Sequence, residues 1–426
     1  MRVNQQWKEP VSKAKPYDIP KRLVWKAYQR VKANRGAAGV DGESLAMFEQ
    51  DLKNNLYKVW NRMSSGSYFP PPVRLVEIPK DNGGIRPLGI PTVADRVAQT
   101  VVKMVLEPRV DALFHPDSYG YRPGKSAHDA VGMARQRCFV NDWVIDLDIK
   151  GFFDAIPHDL VERAVARHTE LPWVRLYVAR WLRAPLKRPE GTVEPRTKGT
   201  PQGGVISPLL ANLFLHYVFD VWLQRHYPGV LFERYADDVI VHCRSEAQAR
   251  FVLARIRDRF TQCGLELHPT KTRIVYCKDG HRLGEYEHIT FDFLGYTFQP
   301  RGAKTRQGKS FVGFLPAISA KAAKAIRETI RDWRMSSKTH LQLGDLARLT
   351  NPAVRGWMNY YGRFYRSECV RVLRHLNEAL VLWVHRKYKR LHRSKRASAH
   401  WLGRIAQRDS VLFVLWQLGE APAAGE

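Results

Sequence analysis

The chain has 426 residues, 44% apolar and 11% aromatic, which fills a large interior over about two to three domains and excludes a disordered polymer. Lys and Arg number 69 against 41 Asp and Glu, a net charge of +28, so a polyanionic partner is the first expectation. Five cysteines without a C-x-x-C pair, apolar runs far too short to span a bilayer and no leader-like apolar block in residues 1–17 argue against zinc ribbons, disulfide frameworks, membrane partners and secretion, and favour a cytoplasmic setting.

In chain order, Lys21 to Lys32 has helical spacing, with Leu23, Val24, Ala27, Tyr28 and Val31 on one face. Val73 to Ile78 and Ile85 to Ile90 read as strands joined by a Gly-rich turn. Lys80 and Arg86 flank that turn, and by spacing alone they are either solvated or a clamp on a triphosphate. Thr92 to Leu106 reads as a helix in which Thr92 and Asp95 have capping-box spacing. The loop Ser118 to Ser126 interleaves Tyr121 with Arg122 and Lys125; it has neither the length nor the order of a P-loop, and its rings and cations suit a strand of nucleic acid.

Trp143 to Ile149 alternates as a strand, with Trp143, Ile145, Leu147 and Ile149 on one face, and it places Asp148 at its end, where a metal ligand would stand. A helix is expected from Asp159 to His168. Gly199 to Pro208 is a glycine-rich turn into a helix, with Ser207 as the expected cap and Pro208 in the first turn. The apolar runs Val230 to Phe232 and Val239 to Val241 form a hairpin around Tyr235-Ala236-Asp237-Asp238. Asp alone favours turns, but two adjacent carboxylates repel, and a cation is the readiest way to keep them together. Lys271 follows a turn. Ser319 is expected to cap a helix with Ile326, Ile330 and Trp333 inward and Lys321 and Lys324 along one side. Residues 301–426 hold 25 Lys and Arg against 8 Asp and Glu, including the run from Arg386 through Lys387 and Lys389 to Arg390; that density fits a phosphate-tracking surface.

Asp148-Ile149-Lys150-Gly151-Phe152-Phe153-Asp154 and Tyr235-Ala236-Asp237-Asp238, in which Asp237 lies 89 residues after Asp148, together resemble the two catalytic motifs of a reverse transcriptase palm. The resemblance implies two Mg²⁺ ions about 3.5 to 4 Å apart, held by Asp148 and Asp237 with Asp238 alongside and the Ile149 carbonyl assisting. It makes Lys80 and Arg86 the triphosphate clamp, Gln202 a nucleotide contact, Phe153 the ring that excludes a 2′ hydroxyl, and Lys271 the acid for departing pyrophosphate. Phe291-Asp292-Phe293-Leu294-Gly295-Tyr296 resembles the hairpin that grips the primer, and Tyr235 is expected to touch nucleic acid.

Asn34 to Gly42 resembles the amino-terminal extension of group II intron reverse transcriptases, and Asn351 to Tyr361, which includes Arg355, resembles the signature of their maturase (X) domain. The implied fold class is α/β (α+β): a right-hand polymerase with fingers and an antiparallel palm sheet, then a helical thumb. Expected domains are residues 1–300 for extension, fingers and palm, 301–396 for the thumb and maturase domain, and 397–426 for a short tail, a possible DNA-binding remnant. The implied activity is RNA-directed DNA polymerisation in a bacterial cytoplasm or nucleoid, with RNA template, intron RNA, DNA primer or target and dNTPs as partners, and with roles in splicing and retromobility. Without paired cysteines, a zinc-bearing HNH endonuclease is not expected. Two other readings stay open: an RNA-binding maturase with a vestigial polymerase, and a domesticated relative in DNA repair or phage defence.

Overall fold

The computed structural model describes residues 15–79, 84–305 and 307–423. The chain opens with helices α1 (Lys21–Ala33), α2 (Leu45–Gln50) and α3 (Leu52–Ser65), then the hairpin of β1 (Val73–Pro79) and β2 (Ile85–Ile90). Next come α4 (Val93–Asp111), α5 (Ala127–Val140), β3 (Trp143–Leu147), the single turn α6 (Phe152–Ala155), α7 (His158–His168), α8 (Pro172–Leu182), β4 (Leu186–Lys187) and β5 (Val193–Glu194). α9 (Ser207–Leu215) widens into a π turn at His216–Asp220 and resumes as α10 (Val221–His226). β6 (Leu231–Tyr235), β7 (Asp238–Cys243), α11 (Glu246–Gln262), β8 (Arg273–Tyr276), β9 (Phe291–Phe293), β10 (Tyr296–Lys304) and β11 (Ser310–Ile318) follow. The last part is helical: α12 (Ala320–Asp332), α13 (Leu343–Tyr361), α14 (Arg366–Lys387), α15 (Lys395–Arg408) and α16 (Val414–Gln417).

Three sheets form, with strand orders β2-β1-β4-β5, β6-β7-β3-β8 and β11-β10-β9. The chain divides into two compact units, Met1–Ser126 with Leu147–Val239 and Arg250–Thr272, and Ala127–Asp146 with Ile240–Ala249 and Arg273–Glu426.

In the first unit β1 and β2 pair antiparallel, Ile78 opposite Arg86. Lys80 lies outside the described residues, as does the side chain of Arg86. α4 runs to Asp111, past the expected end at Leu106 and through Pro108, because its apolar stripe continues to a buried Val110. Thr92 caps it as expected, its hydroxyl accepting from the Asp95 amide at 3.1 Å. The Asp95 carboxyl does not complete the capping box; it accepts from the Tyr68 hydroxyl and the Trp181 indole instead.

In the second unit β3 pairs antiparallel with β8, Trp143 opposite Tyr276. The expected alternation of faces is incomplete: Val144 is as buried as Ile145, both at 0% exposure, since a central strand is covered on both sides. Ser319 caps α12 as expected, accepting from the Ala322 amide at 3.2 Å. Ile326, Ile330, Leu346, Leu376 and Trp383 form the core of the closing helices, and Leu402, Ala406, Phe413 and Trp416 join it. The residues expected as a short tail carry most of α15 and all of α16, and both helices meet α14.

Candidate active site

The hairpin at the centre of the site turns at Ala236, in the left-handed region with φ +57°. A two-residue turn between twisted strands demands positive φ, and Ala there costs about 1 to 2 kcal/mol where Gly would cost nothing. Two neighbours hold it. The Arg234 Nη1 donates to the Ala236 carbonyl at 3.1 Å, and Gly120 packs so closely that a Cβ on it would lie 2.4 Å from the Ala236 nitrogen. Arg234 is itself fixed: Nε and Nη2 donate to the two Asp220 oxygens at 2.8 and 2.6 Å, and Nη1 donates to Asn212 Oδ1 at 2.9 Å. The backbone of β6 is pinned as well, with the Tyr119 amide donating to the Arg234 carbonyl and the Arg234 amide to that of Asp117. Asp237 and Asp238 thus leave a rigid turn, half-buried.

Asp148 follows β3 directly. Its carbonyl accepts from the His268 amide at 2.8 Å, and the Lys150 amide donates to Glu266 at 2.9 Å. Ile149, 5% exposed, bridges to Leu267, and the Thr272 hydroxyl sits 3.3 Å from both the Asp148 amide and its carbonyl. β3 therefore ends at Leu147, two residues earlier than expected, because Asp148 to Lys150 pair with the segment before β8. That segment delivers Lys271, whose Nζ stands 3.5 Å from Asp148 Oδ2.

A second group of candidates converges by backbone contacts. The Thr200 amide donates to the Phe153 carbonyl and the Gly199 amide to that of Ile156, each at 2.7 Å. Gly199, at φ +80°, lies where any Cβ would strike Phe153 and Asp154. The Gly89 amide of β2 donates to the Gln202 carbonyl at 2.6 Å. Phe153, Gln202 and the strand of Arg86 are thereby brought to one place. Ser207 is the first residue of α9 rather than its cap; its hydroxyl accepts from Thr200 at 2.8 Å, which ties the loop's two ends.

Among the nucleic-acid candidates, Tyr121 is exposed and its ring lies 6.3 Å from that of Tyr235. Arg122 is a correction. Its guanidinium donates to the Asp111 carboxylate and to the carbonyls of His115, Ser118 and Asp111, so it is 8% exposed and pins its loop instead of facing a ligand. Lys125 donates to the Pro116 carbonyl at 2.9 Å. Lys387 is likewise turned inward, its ammonium on the carbonyls of Thr339 and Leu341 and over the Trp383 ring, because the last turn of α14 packs on that segment. Lys321 and Lys324 on α12, Arg355 on α13, and Lys389 and Arg390 are exposed.

The primer-grip candidate belongs to the second unit and turns at Leu294 and Gly295, both at positive φ. Tyr360 donates to the Leu294 carbonyl at 2.9 Å, Tyr296 donates to the Tyr360 carbonyl, and the Ser319 amide donates to Gly295. Tyr360, in the Asn351 to Tyr361 signature, therefore holds this turn.

The profile of the family "Reverse transcriptase (RNA-dependent DNA polymerase)" matches residues 78–298, which contain Asp148, Phe153, Gln202, the turn of Asp237 and Asp238, and Lys271. The chain belongs to the reverse transcriptase family. By that membership it is an RNA-directed DNA polymerase, and the profile "Group II intron, maturase-specific domain" matches residues 323–401. Protein YkfC of Escherichia coli (strain K12) is 32% identical over 302 residues, covering 61% of this chain and 74% of that protein. The group II intron-encoded protein LtrA of Lactococcus lactis subsp. cremoris is 32% identical over 205 residues, 47% of this chain and 34% of LtrA. An uncharacterized 91 kDa protein in the cob intron of Schizosaccharomyces pombe is 26% identical over 403 residues, 79% of this chain and 49% of that protein. The alignments with the two intron proteins thus cover half or less of their length.

Sequence reasoning found the carboxylates but missed Arg234, Asp220, Asn212 and Gly120. A charged residue inside an apolar strand, Arg234 in Leu231-Phe232-Glu233-Arg234-Tyr235, was the available signal.

Proposed function

We propose that the chain extends a primer with dNTPs on an RNA template, using two Mg²⁺ ions held by Asp148 and Asp237 with Asp238 beside them. The observation that carries this is the pairing of Asp148 with an ammonium group in the same unit as the rigid turn of Asp237 and Asp238. A cation already stands against Asp148, and the donor set is hard oxygen, as Mg²⁺ prefers. Among the described residues no group of three or more His, Cys, Asp and Glu side chains is placed to hold a metal ion; Mg²⁺ keeps several waters and takes one or two protein carboxylates. When bound, the ions would neutralise charge on the attacking and leaving oxygens.

The chain's own residues do the rest. Gln202 and Phe153, fixed to each other by the Gly199–Thr200 backbone, orient the nucleotide; Phe153 closes the space beside the sugar. Lys80 and Arg86 neutralise the triphosphate. Lys271 delivers a proton to departing pyrophosphate. Through its maturase-specific domain the chain binds intron RNA as a splicing cofactor and takes part in retromobility. The exposed Lys321, Lys324, Arg355, Lys389 and Arg390 meet phosphates.

Asp237→Ala abolishes primer extension on an RNA template with Mg²⁺, while binding of labelled intron RNA survives. Extension at the wild-type rate would sink the metal assignment. Phe153→Ala raises ribonucleotide incorporation relative to dNTP incorporation in the same assay.

A further inference from the structure

We propose that Gln99, oriented by Asp95, is a positioning residue for nucleotide binding: it fixes the loop that carries Gln202. This rests on Gln202 being a nucleotide contact. Asp95, Gln99 and Ile206 are 1, 2 and 1% exposed, so none of them reaches a substrate. They form a relay. The Tyr68 hydroxyl and the Trp181 indole donate to Asp95 Oδ1 at 2.9 and 2.7 Å. Asp95 Oδ2 accepts from Gln99 Nε2 at 2.9 Å. Gln99 Oε1 then accepts from the Ile206 amide at 3.3 Å.

The direction is forced. A carboxylate only accepts, so the Gln99 amide must present its NH₂ to Asp95 and its oxygen to the loop. Burial pushes the Asp95 carboxyl up to about 6, with hydrogen bonds from Trp181, Tyr68 and Gln99 opposing that rise; near neutral pH the acid is the acceptor the relay needs. Gln202 therefore sits between two pins: β2 at its own carbonyl, through Gly89, and Gln99 four residues further on. Gly204 lets the loop close before α9, since a Cβ there would lie 2.5 Å from Ser207 Oγ. Val102, three residues on along the same face of the helix, is fully buried and apolar. A leucine in place of Gln99 would need no buried partner, so the polar relay supplies direction rather than packing.

The test reads KM and kcat for dTTP on oligo(dT)-primed poly(rA), with melting temperature in parallel, for Gln99→Met, Asp95→Asn, Gln99→Glu and the double variant that combines Asp95→Asn with Gln99→Glu. Gln99→Met leaves the Ile206 amide without a partner and raises KM about tenfold, with kcat changed less than about twofold. Asp95→Asn sets one NH₂ against another and also raises KM. Gln99→Glu sets two carboxylates together and does the same. The double variant restores the pattern: the introduced asparagine accepts from Tyr68 and Trp181 and donates to the introduced glutamate, whose second oxygen accepts from Ile206. Its KM returns to within about threefold of wild type, a coupling that only interacting residues show.

Single variants that lower the melting temperature but leave KM unchanged overturn the proposal, since that is the signature of a purely structural cluster. Should Gln99→Met not fold, a folded double variant whose KM stays as high as that of a folded single also overturns it. Gln202→Ala separates the two readings. An unchanged KM there refutes the nucleotide contact at Gln202, whereas a raised KM there beside unchanged KM in the Gln99 variants refutes the relay alone.

Discussion

Arg234 and Asp220, both without exposed side-chain surface, face each other through two hydrogen bonds, Nε to Oδ1 at 2.8 Å and Nη2 to Oδ2 at 2.6 Å. Asp220 closes the π turn at His216–Asp220, between α9 and α10; such turns recur at functional sites. Removing one partner of a buried ion pair leaves an uncompensated charge, at about 3 to 5 kcal/mol. Arg234→Met is expected to lose that much stability in urea titration. Arg234→Lys keeps the charge but not the fork, and it frees the Asn212 and Ala236 contacts. Primer extension therefore falls more steeply than stability does in the lysine variant. A loss below about 1 kcal/mol for Arg234→Met would show the pair to be incidental.

Gly120→Ala tests the turn from outside. The new methyl meets backbone, 2.4 Å from the Ala236 nitrogen and 2.9 Å from the Tyr235 carbonyl carbon, which cannot yield as a flexible side chain does. Primer extension drops by more than about tenfold while circular dichroism stays native. Ala236→Gly works in the opposite sense, removing a left-handed alanine, and keeps stability within about 1 kcal/mol of wild type. Full activity in Gly120→Ala would mean the turn has more latitude than its contacts allow.

Lys271 and Asp148 are partly exposed, at 54% and 39%, so their attraction adds little to stability, about 0 to 1 kcal/mol. Lys271→Met therefore melts within a few degrees of wild type. If Lys271 delivers the proton to pyrophosphate, its loss lowers the single-turnover rate of dNTP addition without weakening dNTP binding. A rise in KM with an unchanged rate would make Lys271 a binding residue instead.

Asp95 gives a pH dependence with a definite sign. Burial is the leading cause and raises its carboxyl from 3.8 to about 6, so protonation favours the folded state. The contribution is complete below about pH 4 and is lost as pH rises through about 6, amounting to about 3 kcal/mol. Asp95→Asn cannot titrate. Compared with it, wild type loses about that much stability between about pH 4 and about pH 7, read from chemical denaturation at each pH. A constant difference across that range would show that Asp95 is ionised throughout.

The chain's legibility followed the range of its interactions. Periodicity and turn chemistry located β1, β2, the β6–β7 hairpin and the caps at Thr92 and Ser319, all set by neighbours a few residues away. Asp148, Asp237 and Asp238 stood out because paired acids beside apolar strands have few other uses. What stayed hidden depends on partners far along the chain: Arg234 with Asp220, Gly120 with Ala236, and Gln99 with Ile206, which is 107 residues away. At Arg122, whose partners lie 4 to 11 residues away, and at Lys387 the hidden part was local packing. Their charge was visible, but the carbonyls that absorb it were not.

The turn at Leu294 and Gly295 hangs on Tyr360 and Tyr361, at the end of α13: Tyr360 donates to the Leu294 carbonyl, and a Cβ on Gly295 would lie 3.3 Å from the Tyr361 ring. Residues 294–295 fall within the match to the polymerase family, and residues 360–361 within the match to the maturase-specific domain. A chimera that took α13 from another lineage would have to bring its own turn with it. The two matched regions are thus spliced by a shared joint, and a heritable change on one side is filtered by the other.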